Sequence, residues 1–359
     1  MNLTLKIKLL PDEEQHGRLL STMRMFNRAC NHISELAFNS KVFSKIKIQQ
    51  SCYYDVRREF GLSSQMVVRA IGKVAESYKA DKKALHVFKD TGAMVYDDRI
   101  LSFKKLEYAS LLALDGRIEV PMMVAEYHKG VLMGRRVRGQ ADLILDGDVF
   151  YLMLVVELPD KPIFDAEKFL GVDMGIVNIA VDSEGETFSG SKVNNIRRRN
   201  AKLRAKLQSK GTKSAKRLLK KRSRKERRFA TDTNHCISKK IVKKAKALDM
   251  GVALEDLTGI RHNEKTVRKP QRQQLSSWSF YQLRQFIAYK AMMSGVPVVL
   301  VDPRNTSREC PVCGHTEKAN RKTRDDFECK KCGYADRADY VASVNIGRRA
   351  AVNQPYAGA

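Results

Sequence analysis

Cys310, Cys313, Cys329 and Cys332 form C-x2-C-x15-C-x2-C, a spacing that constrains the fold of this chain more than any other feature. Two CxxC knuckles at this separation offer four thiolates to one tetrahedral ion, and a set with no open position reads as structural zinc. Asp339 follows seven residues after the last thiol, in ADYVASVNIGRRA, a helical pattern with small residues near the carboxylate. A ribbon that runs straight into a helix bearing an acid is not a free-standing finger. It reads as an insertion in a larger catalytic domain, delivering that acid to a site assembled elsewhere in the chain.

At 359 residues, 43% of them hydrophobic, the chain can bury two or three domain cores. Lys+Arg 67 against Asp+Glu 40 leaves a net charge of +27. That imbalance opposes compaction unless a polyanion screens it, so nucleic acid is the expected partner and anionic membrane the competitor. No apolar run approaches the roughly 20 residues that span a bilayer, and MNLTLKIKLLPDEEQ lacks a signal peptide's apolar core. The expectation is a cytoplasmic protein with no membrane partner. Cys30, Cys52 and Cys236 have no partner spacing and read as small buried hydrophobes in a reducing compartment.

NLTLKIKL at 2–9 alternates as a half-buried strand does. Pro11 and the acids Asp12, Glu13 and Glu14 then suit a helix start, and helical periodicity runs through about 43–60 and beyond Ser63-Ser64. From about 86 to 160, MVYDDRILSFKK, YASLLALDG, RIEVPMMV, GVLMGRRVRGQADLILDGD and VFYLMLVVEL alternate between Asp-Gly and His-Lys-Gly turns. Five or six such strands predict a meander closing into a small barrel, with the first strand included and the helices inserted after it. A third region opens at FLGVDMGIVNIAVDSEG, with two strands joined across Glu184-Gly185. It continues through basic helices, the strand GVALEDL, the helix WSFYQLRQFIAYKAMMSG and the strand VPVVLVDP before the cysteines.

Three acids stand at comparable places: Asp173 in GVDMG, Glu255 ending VALE, and Asp339 opening the last helix. An acid in an apolar strand is costly to bury unless it is paired or binds metal. Three converging acids suit two divalent cations, magnesium or manganese, and in-line displacement at phosphorus. Asp336 stands close enough to compete for the third place. His235 is not required where metal activates water, and reads as structural.

Residues 192–246 carry Arg or Lys at nearly every second position, while Leu203, Leu207, Leu218, Leu219, Ile237 and Ile241 provide a packing side. This predicts a helical pair lying along a duplex, held by phosphate contacts blind to sequence. The candidate contacts are Arg197, Arg198, Arg199, Arg204, Lys220, Lys221, Arg222, Arg224, Arg227 and Arg228, with Lys269 in the loop beyond. Trp278 opens an aromatic helix that reads mainly as core. Arg24, Asn27 and Asn31 in the first helix are candidates for reading a short DNA motif.

GVDMGIVNIAVD, VALEDLTGI, the segment from WSFYQ to CPVCG, and DFECKKCGYADRADYVASVNI together resemble the OrfB/TnpB family of insertion-sequence proteins. The resemblance is densest over 169–347 and thinner over 40–165. It implies an RNA-guided DNA endonuclease of a mobile element, related to miniature type V CRISPR effectors and cutting beside a short flanking motif. It implies a multidomain α/β chain whose RuvC-like nuclease, of RNase H fold, spans 167–305 and 337–359, with the basic helical segment 191–248. The zinc ribbon at 306–336 becomes the target-nucleic-acid-binding insertion. A wedge β-barrel would occupy 1–10 and 86–166, with a helical recognition insertion at 11–85. The implied partners are a guide RNA and double-stranded target DNA, whether one or two copies bind each RNA. A guide-dependent DNA-binding repressor with impaired nuclease is the alternative. The family often shows D-x-N-A-A at the third acid, whereas this chain reads Asp339-Tyr340-Val341-Ala342-Ser343, without the asparagine that would brace the acid.

Overall fold

The computed structural model describes residues 2–133, 137–256 and 280–352, with backbone alone at 137–139, and divides into two compact units, Met1–Pro159 and Asp160–Ala359. The first unit is built on a seven-stranded sheet ordered β2-β6-β7-β1-β5-β4-β3. Its strands are β1 (Asn2–Leu9), β2 (Met94–Asp97), β3 (Leu101–Lys104), β4 (Tyr108–Ala113), β5 (Gly116–Met123), β6 (Val137–Asp146) and β7 (Val149–Glu157). Alternation places Leu5, Ile7 and Leu9 of β1 in the core, and β1 runs antiparallel to both β7 and β5 at the centre of the sheet. The two edge strands, β2 and β3, are consecutive in sequence. A short turn between them, with Tyr96 Oη donating to Leu112 O at 3.0 Å, brings the edges together into a nearly closed barrel.

Three helices lie between β1 and β2: α1 (Glu13–Ser40), α2 (Lys45–Phe60) and α3 (Ser64–Ala80). Asp12 caps α1 by accepting from Gln15 N at 2.8 Å, and Gln15 returns the bond, so one orphan donor at each end of the turn is satisfied. The segment MVYDDRILSFKK, read as one strand, is two. Asp97 has its side chain buried and pairs with Arg69 of α3, and the chain turns there to cross from one sheet edge to the other. The expected His128-Lys129-Gly130 turn is instead inside α4 (Glu126–Leu132), whose inner side buries Val131 and Leu132. Asn27 and Asn31 also depart from expectation. Asn27 donates to Met23 O, Asp90 O and Gly92 O, and Asn31 both donates to Phe88 O and accepts from Phe88 N. Both amides therefore fasten the strand-side loop to α1, whereas Arg24 stays exposed.

The second unit holds a five-stranded sheet ordered β10-β9-β8-β11-β12. Its strands are β8 (Phe169–Asp173), β9 (Asn178–Asp182), β10 (Thr187–Ser189), β11 (Gly251–Glu255) and β12 (Val298–Val301). The first three are antiparallel, whereas β11 runs parallel to β8 and β12 parallel to β11. This order and polarity define the RNase H-type sheet. Helices α5 (Ser191–Lys210), α6 (Lys213–Ala247) and α7 (Phe280–Ser294) complete the unit with α8 (Ala338–Val352). Leu170, Val172, Val252 and Leu254 of the sheet pack with Ile241 and Val242 of α6 and Leu283 and Ile287 of α7. Ile346 and Ala350 of α8 meet Phe169, Ala253 and Val301 in a second cluster. The buried Asp182 of β9 pairs with Lys244 of α6 at 2.7 Å, tying the hairpin to that helix.

A ribbon follows β12, with the short hairpin β13 (Asp326–Glu328) and β14 (Ala335–Arg337). Cys310, Cys329 and Phe327 bury against Ala338 and Val341 of α8. The ribbon and the last helix thus share a small core.

Candidate functional site

Asp173 sits at the last position of β8, and Glu255 at the last position of β11, the parallel neighbour of β8. Parallel pairing puts both carboxylates at the same end of the sheet. Asp339 arrives from α8, in its first turn, where the helix dipole favours an acid. The approach of α8 depends on two glycines. A Cβ on Gly171 would stand 1.9 Å from Ser343 O, and one on Gly347 would stand 2.6 Å from Phe169 O. Bare backbone on both sides lets the helix lie directly on β8, and that contact brings Asp339 to Asp173.

The result is a concentration of negative charge. Burial, followed by the carboxylates of Glu255 and Asp339, pushes the Asp173 carboxyl up to about 8. Arg321 of the ribbon opposes the rise, so its guanidinium is near Asp173. Burial raises Glu255 too, against a hydrogen bond from Thr306 and the charge of Arg349. Asp336, the competing acid, is exposed in β14 and accepts from Tyr334 Oη and Arg337 N. It is not among the charges acting on Asp173, whereas Asp339 is.

The brace expected at position 341 comes from another place. Val341 is wholly buried against the ribbon core. Asn178, at the start of β9, donates Nδ2 to Asp339 Oδ2 at 3.0 Å. Thr306 does the same for Glu255, donating Oγ1 to Oε1 at 2.6 Å. Neither residue was singled out from sequence. Asn178 carries only the signal of an amide five residues after an acid, and Thr306 carries none. A cleft of about 500 Å³ opens beside Asp339, lined also by Asn178, Thr187, Asp336 and Tyr340.

The four thiols meet as their spacing predicts, with all Sγ atoms within 4.8 Å of one another. Cys310 and Cys332 are 3.6 Å apart and Cys313 and Cys329 3.5 Å, close to the ~3.8 Å edge of a tetrahedron with zinc–sulfur bonds near 2.3 Å. Gly314 and Gly333, each one residue past a knuckle, take φ of 71° and 75° and turn their amides back onto Cys310 O and Cys329 O. The donor set fits a four-coordinate structural ion. Among the described residues only the thiols gather within that distance.

The basic segment folds as a helical hairpin, α5 and α6 joined at Gly211-Thr212. Arg198, Arg199, Lys220, Lys221, Arg227 and Arg228 are exposed, whereas Arg197, Arg222 and Arg224 are half-buried. Arg204 pairs with Glu226 at 3.0 Å, which ties one helix to the other. His235 stacks on Phe286 with ring centroids 3.9 Å apart, a packing role on α6. Lys269 and Trp278 lie outside the described residues.

Comparison with known proteins agrees with this architecture. Residues 153–258 match the OrfB_IS605 family model, described as a probable transposase, and 280–346 match the Cas12f1-like TNB domain. The CRISPR-associated endodeoxyribonuclease Cas12f1 of Sulfoacidibacillus thermotolerans is 30% identical over 205 residues, covering 52% of this chain and 47% of that protein. The TnpB-like protein MJ0751 of Methanocaldococcus jannaschii is 28% identical over 218 residues, covering 56% of this chain and 77% of its own. The putative RNA-guided DNA endonuclease InsQ of Escherichia coli K12 is 28% identical over 204 residues, covering 52% of this chain and 50% of its own. The match to Cas12f1 and to InsQ thus spans about half the length of each. In fold, the chain resembles the protein of a Cas12f1–sgRNA–target DNA complex, with a TM-score of 0.64 at 14% identity over 97% of this chain and 98% of the other. It also resembles the mini-RNA-guided endonuclease Cas_phi3, with a TM-score of 0.51 at 12% identity over 100% of this chain and 94% of the other. The fold is that of the compact type V effectors. Over 153–258 the chain is thus similar to the OrfB_IS605 proteins, and over 280–346 to the Cas12f1-like ones.

Proposed function

We propose that this protein is an RNA-guided DNA endonuclease of a mobile element, cutting target DNA at the acid cluster formed by Asp173, Glu255 and Asp339. The observation that carries the reading is the convergence of these three carboxylates, from two parallel strand ends and a helix start, with Asp173 raised to about 8 by burial and its neighbours. So much negative charge in one place fits divalent cations. Asp173, Glu255 and Asp339 would hold them, and magnesium or manganese ions supply an activated water and charge neutralisation at the leaving oxygen.

The remaining groups have roles that follow from their places. Arg321 brings positive charge beside Asp173 from the ribbon, where a scissile phosphate needs it. Asn178 occupies one oxygen of Asp339 and leaves the other for metal. Zinc in the four thiolates would be structural, since no position is left for substrate. The exposed cations of the α5–α6 hairpin provide a phosphate-tracking surface that suits a guide–target heteroduplex, which a protein reads by backbone and shape. In the domain assignment we favour, the barrel of the first unit is the wedge, its helices the recognition lobe, and the ribbon the target-nucleic-acid-binding insertion. The names of the relatives, Cas12f1 and InsQ, support the same activity.

The test is cleavage by the protein purified with its RNA. Asp173→Ala should retain RNA and target binding yet lose cutting by at least two orders of magnitude, and normal cutting by that variant would sink the assignment. RNase treatment before DNA is added should abolish site-specific cleavage. The likeness to Cas12f1 favours a second reading of context, a CRISPR-associated effector. Sequencing the bound RNA separates the two, since a guide derived from an element's end marks the mobile-element form and an array-derived spacer the other.

A further inference from the structure

The segment between β12 and the first zinc knuckle, residues 302–310, has no regular strand or helix, yet it is held at many points. Asn345 of α8 is buried and donates Nδ2 to both Thr306 O and Glu309 O at 2.8 Å. One turn further along α8, Arg349 donates Nη1 to Asp302 O at 3.0 Å and Arg304 O at 2.6 Å, and its Nη2 pairs with Glu309. Within the segment, Arg308 N and Glu309 N both donate to Asn305 O, and Asn305 takes φ of 61° to close the turn. A strap with this many internal and helical bonds is a rigid body. It is anchored on the same helix, α8, that carries Asp339 toward the cluster.

Thr306 is the one side chain of this strap that reaches an acid of the cluster. It is 3% exposed, and its hydroxyl lies 2.6 Å from Glu255 Oε1 and 3.2 Å from Pro303 O. One hydroxyl carries one proton, and an ionised acceptor at the shorter distance holds it. The bond therefore goes to Glu255.

Glu255 needs such a bond. It ends its strand, and its side chain has several rotatable bonds. A ligand free to swing loses rotamer entropy on metal binding and offers no fixed oxygen. Groups that orient metal ligands from behind contribute roughly 10–100-fold in metal affinity or activity. We propose that Thr306 is a positioning residue for Glu255, fixing one carboxylate oxygen so that the other faces the metals, and that Asn345 and Arg349 hold Thr306 in place through the strap. This inference rests on the nuclease reading of the acid cluster. It goes beyond it by assigning a function to three residues outside that cluster and by making the ribbon's root part of the metal site.

Thr306→Val keeps the shape and removes the donor, and Thr306→Ser restores the donor. Manganese affinity, measured by electron paramagnetic resonance of the free ion on the protein–RNA complex, is the readout independent of catalysis. Single-turnover cleavage at saturating DNA is the second. Thr306→Val should weaken manganese binding about 10–100-fold. Its cutting should be slow at low manganese and recover as the metal is raised, and Thr306→Ser should behave as wild type in both assays. Asn345→Ala should follow Thr306→Val in direction. Wild-type manganese affinity in Thr306→Val, with Glu255→Gln inactive, would overturn the positioning role while leaving the nuclease reading intact. Cutting by Glu255→Gln at the wild-type rate would overturn the nuclease reading itself. If Thr306→Val and Thr306→Ser lose affinity equally, the hydroxyl is not the cause and the proposal fails.

Discussion

At the residue scale, Asp173 shows how one environment sets a group's chemistry. Its carboxyl rises from 3.8 to about 8, first through burial and then through Glu255 and Asp339. A folded-state pKa above the unfolded one means that the folded protein binds the extra proton between those values. The stability from this group is therefore complete below about pH 4 and is lost as pH rises through 8. In magnesium-free buffer, Asp173→Asn, which never ionises, should melt increasingly above wild type between pH 4 and 8, with the gap constant beyond. Added magnesium should raise the wild-type melting temperature and leave that variant unmoved. A gap independent of pH, measured by scanning fluorimetry, would remove the cluster from the account. Asp173 and Glu255 were legible in the sequence because a charge in an apolar strand stands out, and Asp339 because it follows the last cysteine into a helix. Asn178 and Thr306 were not, since a lone amide or hydroxyl is ordinary in a loop and becomes distinctive only when a carboxylate is found opposite.

The packing of α8 on β8 decides the site at the scale of elements. Alanine usually stabilises a helix interior over glycine by about 1 kcal/mol. At Gly347 the added Cβ meets Phe169 O at 2.6 Å, and overpacking against backbone costs about 1–3 kcal/mol. Overpacking wins, so Gly347→Ala should lower stability and, by lifting α8, reduce metal binding more than any nearby surface change. A melting temperature at or above wild type would show that the helix adjusts freely. The ribbon is the other element on which the site depends. Its core of Phe327, Cys310 and Cys329 also packs Val341, two residues from Asp339 on the same helix. Removing zinc with a chelator selective for it, or Cys310→Ser, should unfold the ribbon and abolish the magnesium-dependent rise in melting temperature. Persistence of that rise would mean that α8 holds Asp339 without the ribbon. Position 341 illustrates why the helix could not be read fully in advance. The spacing identified the acid, but only packing against the ribbon explains why valine stands where an asparagine was expected.

Across the whole molecule, a net charge of +27 is expressed most densely on the α5–α6 hairpin. Arg198, Arg199, Lys220, Lys221, Arg227 and Arg228 are exposed there, whereas Arg204 is engaged by Glu226. Replacing the first six by glutamine should weaken duplex binding, and the slope of log K against log salt should become shallower by about 0.9 for each phosphate no longer neutralised. Arg204→Gln should instead act mainly on stability, loosening the hairpin. Equal salt slopes for wild type and the six-fold variant would place the duplex on another surface. Among the described residues no helix is long and apolar enough to cross a membrane.

The sequence by itself determined the ribbon and the basic helices, and it singled out the three acids. Each of these rests on local spacing or on a residue type that stands out in its surroundings, whereas the RNase H-type fold was implied by resemblance to a family. What only the tertiary structure decided is how the acids are brought together and braced. That depends on strands being parallel neighbours, on two glycines meeting backbone across a helix–strand interface, and on donors far from the acids in sequence. The physical reason is that hydrogen bonds and close backbone approaches act over a few ångströms in space. Asn178 and Asp339 are 161 residues apart along the chain and 3.0 Å apart in the fold.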